Sequence, residues 1–215
     1  MTLIPADELK KTYEVSAKFY YSEVNGERFL MRREAKIVRI GHEQEEIDAV
    51  VVMINPGSCK PTGAVTSSSA KEAILMAAKP DQTQYQLMNL MERKAWNVLV
   101  IVNLSDICEG NMSNFRNIER KFQEASLPHS IFQDENMRDC HALLSSAKHV
   151  IFAWGESTTA KRLSEQFGLF KNGRATIDYG HMKAWVHSER GFPRHPRPAL
   201  TESRIIWLDT METLL

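Results

Sequence analysis

No run of apolar residues in this sequence approaches the roughly 18 needed to cross a bilayer, and the opening segment MTLIPADELKK has no apolar signal core. These absences predict a cytoplasmic protein with no membrane partner. Cysteine is scarce: Cys59, Cys108 and Cys140 are odd in number and show no CxxC spacing, which predicts reduced thiols and neither a disulfide framework nor a thiolate metal site. An excess of charge of one sign is missing as well. The 27 Lys and Arg balance 27 Asp and Glu, so no global positive field exists to hold long duplex DNA through counterion release. There is no GxSxG elbow, no Walker loop and no GxGxxG fingerprint. Ser-His hydrolase chemistry, P-loop phosphoryl transfer and Rossmann cofactor binding therefore have no support in the sequence, and no cofactor is expected.

What is present suits a single domain over residues 1–215, a length that can bury roughly 70% of its unfolded surface. After a short helical lead, TYEVSAKFYYSEV and ERFLMRREAKIVRI are rich in β-formers on either side of Val24-Asn25-Gly26-Glu27, and Asn-Gly favours a type I′ turn. The pattern predicts an antiparallel hairpin over about residues 12–40. Short, nearly all-apolar runs follow at Ala49 to Ile54, Val98 to Val102 and His149 to Ala153, with Ala184 to His187 and Ile205 to Leu208 as weaker strands. Uninterrupted apolar strands suit a sheet covered on both faces. Between them SSSAKEAILMAA, TQYQLMNLMERKAW, DENMRDCHALLSSA and STTAKRLSEQFG have helical period. Ser67 or Ser68, Asp134, and Glu156 or Ser157 stand at N-cap places, and Gly168 stands where the fourth helix should stop. The expected fold class is α/β: three layers, α/β/α, around a mostly parallel sheet of four to five strands, with the N-terminal hairpin as an elaboration.

In such sheets ligands bind at the carboxyl ends of strands, so the residues there carry the functional argument. The run Val51 to Ile54 stops at Asn55-Pro56-Gly57. Pro56 cannot donate to a ladder, Gly57 permits a sharp turn close to a ligand, and the Asn55 carboxamide can hold a water or read a donor-acceptor pair; an ordinary strand-ending turn is the plain alternative. The run Val98 to Val102 likewise ends on an asparagine, Asn103, with a structural Asx-turn as its alternative. At Ala153-Trp154-Gly155-Glu156 a strand turns into a helix; Glu156 would already occupy the anion-favouring helix N-terminus, and a tryptophan there is more often core than ligand platform. Finally, Arg190-Gly191-Phe192-Pro193-Arg194-His195-Pro196-Arg197-Pro198 presents one histidine and three arginines on a loop stiffened by three prolines. Such a loop can hold His195 in one orientation as a donor to a developing oxyanion, while Arg194 and Arg197 suit phosphate or carboxylate; a solvated proline-rich loop is the alternative. His181, His187, His195 and Cys59 could converge as metal ligands, but their spacing matches no helical or knuckle pattern, so no metal is expected.

Taken in chain order, these strand ends resemble the uracil-DNA glycosylase superfamily. Ile54-Asn55-Pro56-Gly57 looks like that superfamily's first motif in its mismatch-specific version, and Val98 to Asn103 resembles the strand whose terminal Asn reads the uracil edge. Ile151 to Gly155 with Lys161 is similar to the strand and helix before the second motif, which His195-Pro196-Arg197-Pro198 resembles. The chain also resembles a bacterial and phage family of unknown function, number sixteen forty-three of that series, with Asn-Pro-Ser/Gly early and Pro-x-His-Pro late. The likeness covers roughly residues 48–208. It implies a nucleobase or nucleotide ligand, with single-stranded nucleic acid as a further partner, and hydrolysis of an N-glycosidic bond. In that chemistry Asn55 and His195 are catalytic, and Pro56, Gly57, Asn103, Trp154, Gly155, Arg194 and Arg197 bind substrate. Three departures shape the expectation: Arg197 replaces a DNA-contacting Ser, no aromatic follows Gly57 within two dozen residues, and Asn55 stands where the main family has a proton-accepting Asp. Flipping a base out of duplex costs a few kcal/mol, which a neutral chain does little to offset, so single strands or free nucleotides are the expected substrates. A catalytically silent nucleotide-binding or sensing module is the alternative.

Overall fold

Asn25 and Gly26 both take positive φ, 52° and 77°, the left-handed pair that a type I′ turn requires. They join β1 (Tyr13–Val24) to β2 (Glu27–Arg39) in antiparallel register from Tyr13↔Arg39 to Val24↔Glu27. The hairpin is therefore formed as the sequence predicts, but it is no appendage. Residues 2–43, 46–133, 137–176, 182–183, 186 and 189–215 are described in this computed structural model. Among them, β2 pairs with β6 (Val98–Asn103), and β6 lies parallel to β3 (Ala49–Met53), which lies parallel to β7 (His149–Phe152).

The full sheet runs β10-β7-β3-β6-β2-β1-β5, where β5 is Leu75–Lys79 and β10 Met182–Lys183, and the two-residue β4 (Lys60–Pro61) extends it to eight strands. It is mixed: the four strands β10, β7, β3 and β6 are mutually parallel, and the long pairings of β6 with β2, β2 with β1 and β1 with β5 are antiparallel. The expectation of a mostly parallel sheet of four to five strands is thereby corrected. The error has a physical source: the hairpin strands bury apolar residues on both faces, Ala17, Phe19, Met31, Ala35 and Ile37 among them, so they belong in the sheet and not on its margin. A separate two-stranded sheet pairs β8 (Phe170–Lys171) with β9 (Arg174–Ala175).

Helices cover both faces. Val50, Val52, Val100, Val102 and Phe152 pack with Phe115 and Phe122 of α3 (Met112–Glu124), Leu144 of α4 (Met137–Ser146) and Leu163 of α5 (Thr158–Gln166). The alternate residues Ala49, Val51, Met53, Leu99 and Ile101 pack with Leu9 of α1 (Ala6–Thr12), Leu87 and Met91 of α2 (Gln82–Lys94) and Trp207 and Leu208 of α6 (Thr201–Leu214). The period of two along each strand sends its side chains to two separate cores.

Three local expectations are also corrected. The segment SSSAKEAILMAA is no helix and Ser67 and Ser68 cap none: Ser67 Oγ donates to the Glu72 carbonyl (3.1 Å), Ser68 bonds the Glu72 carboxylate, and Leu75–Lys79 is β5. Such short side chains compete with a helix for its backbone partners. Ile205 to Leu208 lies within α6 and not in a strand; Ile206 is 53% exposed while Trp207 and Leu208 are buried, a helical stripe. Helix α3 was not anticipated, although Asn111 caps it by accepting from Ser113 and Asn114 N–H. Ser157 does cap α5, and Gly168 (φ 64°) follows its end. The Asp134 cap and most of the strand Ala184 to His187 lie outside the described residues, as do His181 and His187. Among the described residues no helix is long and apolar enough to cross a membrane.

Candidate functional site

Because β3, β6 and β7 are parallel, their carboxyl ends open on one edge of the sheet, and a cavity of about 480 Å³ lies there. Asn55, Pro56 and Gly57 beyond β3, Asn103 at the end of β6, and Trp154 and Gly155 beyond β7 all line it. So do His195 and Arg197 from the proline-rich loop. Arg194 does not; it lines an adjoining cavity of about 430 Å³ with Trp207. A further cavity of about 600 Å³ shares Trp154 to Ser157 and extends over α5 towards Phe170 and Arg174.

His195 is fixed from several directions. The Arg197 N–H donates to its Nδ1 (3.1 Å), so the neutral ring carries its proton on Nε2. Burial pushes its pKa below the ordinary value, favouring that neutral form. Gly155, at φ 77°, explains the close seat of the ring: a Cβ there would stand 3.0 Å from the His195 Cβ. The Gly155 N–H donates to the Pro193 carbonyl (2.9 Å). Helix α6 braces the other side, with Trp207 Nε1 donating to the Arg194 carbonyl (3.3 Å) and Arg204 to the carbonyls of Pro198 (2.9 Å) and Ala199 (2.7 Å).

The two asparagines are not equivalent. Asn55 is half-buried, and its Nδ2 donates to the Glu109 carbonyl. That bond leaves Oδ1 free to accept, and no donor among the described residues meets it. Asn103 has no exposed surface; its amide donates to the Asn55 carbonyl (3.0 Å) and accepts from Arg32 Nη2 (3.3 Å). It ties the Asn55-Pro56-Gly57 turn to β6 and β2. Trp154, 3% exposed, packs 4.9 Å from Phe152 and edge-on to Phe170 at 5.6 Å, so it presents little surface to a ligand.

Several lining residues have no counterpart in the sequence argument, Arg32, Asp81 and Arg116 among them; Glu156 and Ser157 entered it only as candidates for the helix N-terminus. Arg32 is 2% exposed and reaches the Pro56 carbonyl at 3.4 Å. Among the described residues no carboxylate lies within ion-pair distance of it. Its neighbour Arg33 holds Asp106 at 3.3 Å, and burial pushes that carboxyl up to about 7 against the pull of Arg33. The burial of both arginines follows a β-bulge. Opposite Lys18 and Phe19 of β1 stand Glu34 and Arg32, leaving Arg33 as the extra residue. Asp81 is the N-cap of α2, its Oδ1 accepting from Thr83 N–H (2.9 Å) and Gln84 N–H (3.0 Å) while Gln84 Oε1 accepts from Asp81 N–H (2.9 Å). That capping box was readable as Asp-x-x-Gln before an apolar helix. A buried arginine inside a strand leaves no such mark.

The model of a family described as proteins of unknown function, DUF1643, matches residues 28–197. The chain belongs to that family. A search of curated proteins gives no match.

Proposed function

We propose that this cavity binds a nucleobase-bearing substrate, a free nucleotide or a single strand, and that the protein hydrolyses its N-glycosidic bond. The supporting observation is the convergence of Asn55, Asn103 and His195, from three separate segments, on one cavity of about 480 Å³, within the size range of small-ligand sites. The likeness of these motifs to the uracil-DNA glycosylase superfamily supplies the chemistry. The Asn55 Oδ1 holds the attacking water. The His195 Nε2–H donates to the oxygen of the departing base, where negative charge develops, and a neutral imidazole does this without first giving up a proton. Asn103 acts by holding the Asn55 turn. Arg32, a buried cation beneath that turn, favours an electron-rich group above it.

The test is release of free base by the purified chain from a panel of nucleosides, nucleoside monophosphates and single-stranded oligonucleotides. We expect release that falls by about 100-fold or more in His195→Ala, the usual scale for loss of an oxyanion donor. Absence of release, with thermal stabilisation by a nucleotide that Asn55→Ala removes, replaces the hydrolase by a sensing module. That alternative draws on one observation, the engagement of the Asn103 amide by the Asn55 carbonyl and Arg32 within the protein.

A further inference from the structure

The reading above leaves the water without a proton acceptor, since the Asn55 carboxamide cannot be one. Two carboxylates line the cavity, Asp81 and Glu156. Glu156 is exposed and paired to Arg190 at 2.6 Å. Asp81 is half-buried, and the α2 cap uses only its Oδ1. Among the described residues no donor meets its Oδ2. That oxygen faces Gly57, the residue two positions beyond Asn55: a Cβ at Gly57 (φ 64°) would stand 3.1 Å from it. A glycine is therefore what leaves room between the water-holding turn and the carboxylate. Burial is the largest influence on the His195 pKa and lowers it; the Arg197 backbone hydrogen bond and then the Asp81 charge raise it, and the Arg197 charge lowers it by less. Charged and titratable neighbours facing this corner are His195 and Arg197 from the loop, Arg32 from β2, Arg116 from α3 and Cys59 beyond the turn.

We infer that Asp81 is the proton acceptor of the reaction, an assignment that rests on the N-glycosidic reading. A water held by Asn55 Oδ1 gives a proton to Asp81 Oδ2 as its oxygen bonds to the anomeric carbon. The electrons of the breaking carbon–nitrogen bond leave with the base, whose oxygen receives the His195 Nε2–H hydrogen bond. Solvent then protonates the base nitrogen and takes the proton from Asp81. The balance is one water consumed, one free base and one reducing sugar formed. Helix capping and proton acceptance thus use different oxygens of one carboxylate.

The experiment measures base release from the nucleoside 5′-monophosphates and single-stranded oligonucleotides by wild type, Asp81→Asn and Asp81→Glu. Asparagine keeps the capping oxygen, so Asp81→Asn should retain the wild-type melting temperature and a KM within threefold. Its kcat should fall by about 100-fold to 10,000-fold, the range for a lost general base, and Asp81→Glu should recover part of it. A histidine NMR titration of the same variant should show the His195 pKa lowered further. Wild-type release with Asp81→Asn kcat within threefold overturns the Asp81 assignment alone. Absence of wild-type release overturns the hydrolytic reading, and the assignment with it. A His195 titration unmoved by Asp81→Asn also overturns the assignment, because the two groups then do not share a site.

Discussion

His195 and His129 both sit in hydrogen-bonded surroundings, and of these two only His195 lines a cavity described above. His195 stands on a loop, half-buried, at the open edge of the parallel strands. His129 is 4% exposed, with Nδ1 at 3.0 Å from Ser105 Oγ and Nε2 at 3.6 Å from Glu119, whose other oxygen takes Arg162 at 2.7 Å. On paper the second set is the more suggestive, a serine, a histidine and an acid in a row. Yet the ring is turned the wrong way for serine hydrolysis, in which Nε2 faces the hydroxyl and Nδ1 the acid. Ser105 and Glu119 are as buried as the histidine, and none of the three lines any of the cavities described. The lesson is that a chain of acid, base and hydroxyl is an ordinary way to satisfy buried polar atoms. Chemistry needs in addition a place for the substrate.

The contrast can be broken most forcefully at His129. His129→Ala strands Ser105 and Glu119 in the core, and we expect a loss of about 3 kcal/mol, or roughly 6 to 12 °C in Tm for a chain of this size. Base release per folded molecule should stay at the wild-type level. A variant of unchanged stability but no turnover reverses the roles assigned to the two histidines. Gly155→Ala comes next. Its methyl meets His195 Cβ at 3.0 Å in a left-handed conformation, and we expect about 1 to 2 kcal/mol of destabilisation. Release should fall about tenfold as the ring is displaced, which is how misplacement acts on rate; a rate equal to wild type removes the packing argument for that glycine.

The smallest expected effect is on pH dependence. Burial lowers the pKa of both rings from the ordinary 6.5. In the unfolded chain they take up protons near that value, whereas the folded rings refuse them. The stability gained by keeping them neutral is complete above about pH 6.5 and is lost as pH falls from there through the lowered folded values. Urea midpoints should therefore drop between about pH 7 and pH 5. His129→Gln should flatten that drop more than His195→Ala, since the His129 surroundings admit the less water. Equal slopes in all three proteins sink the comparison.

How much of this was legible in the sequence varied with how local the signal was. The hairpin could be read because Asn25-Gly26 encodes its own turn, and β3, β6 and β7 because short apolar runs admit few other structures. Their terminal residues could be read for the same reason, which singles out Asn55 and Asn103, while His195 stands out on its proline-stiffened loop. What failed needed tertiary information. Ile205-Ile206-Trp207-Leu208 is strand-like in isolation, and only its packing on α2, with Gln86 Nε2 donating to the Arg204 carbonyl (3.0 Å), selects the helix. Leu75–Lys79 has helical period, but pairing with Ser16 to Lys18 decides its state. Strand direction in the hairpin half depends on β2 joining β6, which no local pattern encodes. Arg32 reaches the cavity by a bulge, and the hydrogen bonds that tie Asn103 to Asn55 and Arg32 depend on β2 and β6 lying side by side, which no local pattern encodes.

Helix α6 lies wholly beyond the segment matched by the family, which stops at Arg197. Every residue that lines the main cavity falls inside that segment, but the hydrogen bonds that hold the His195 loop from behind come from Trp207 and Arg204. The boundary drawn by shared ancestry and the boundary drawn by mechanics therefore do not coincide. Removal of α6 would therefore leave every residue of that cavity lining in the chain while taking away the hydrogen bonds of Trp207 and Arg204 behind the His195 loop.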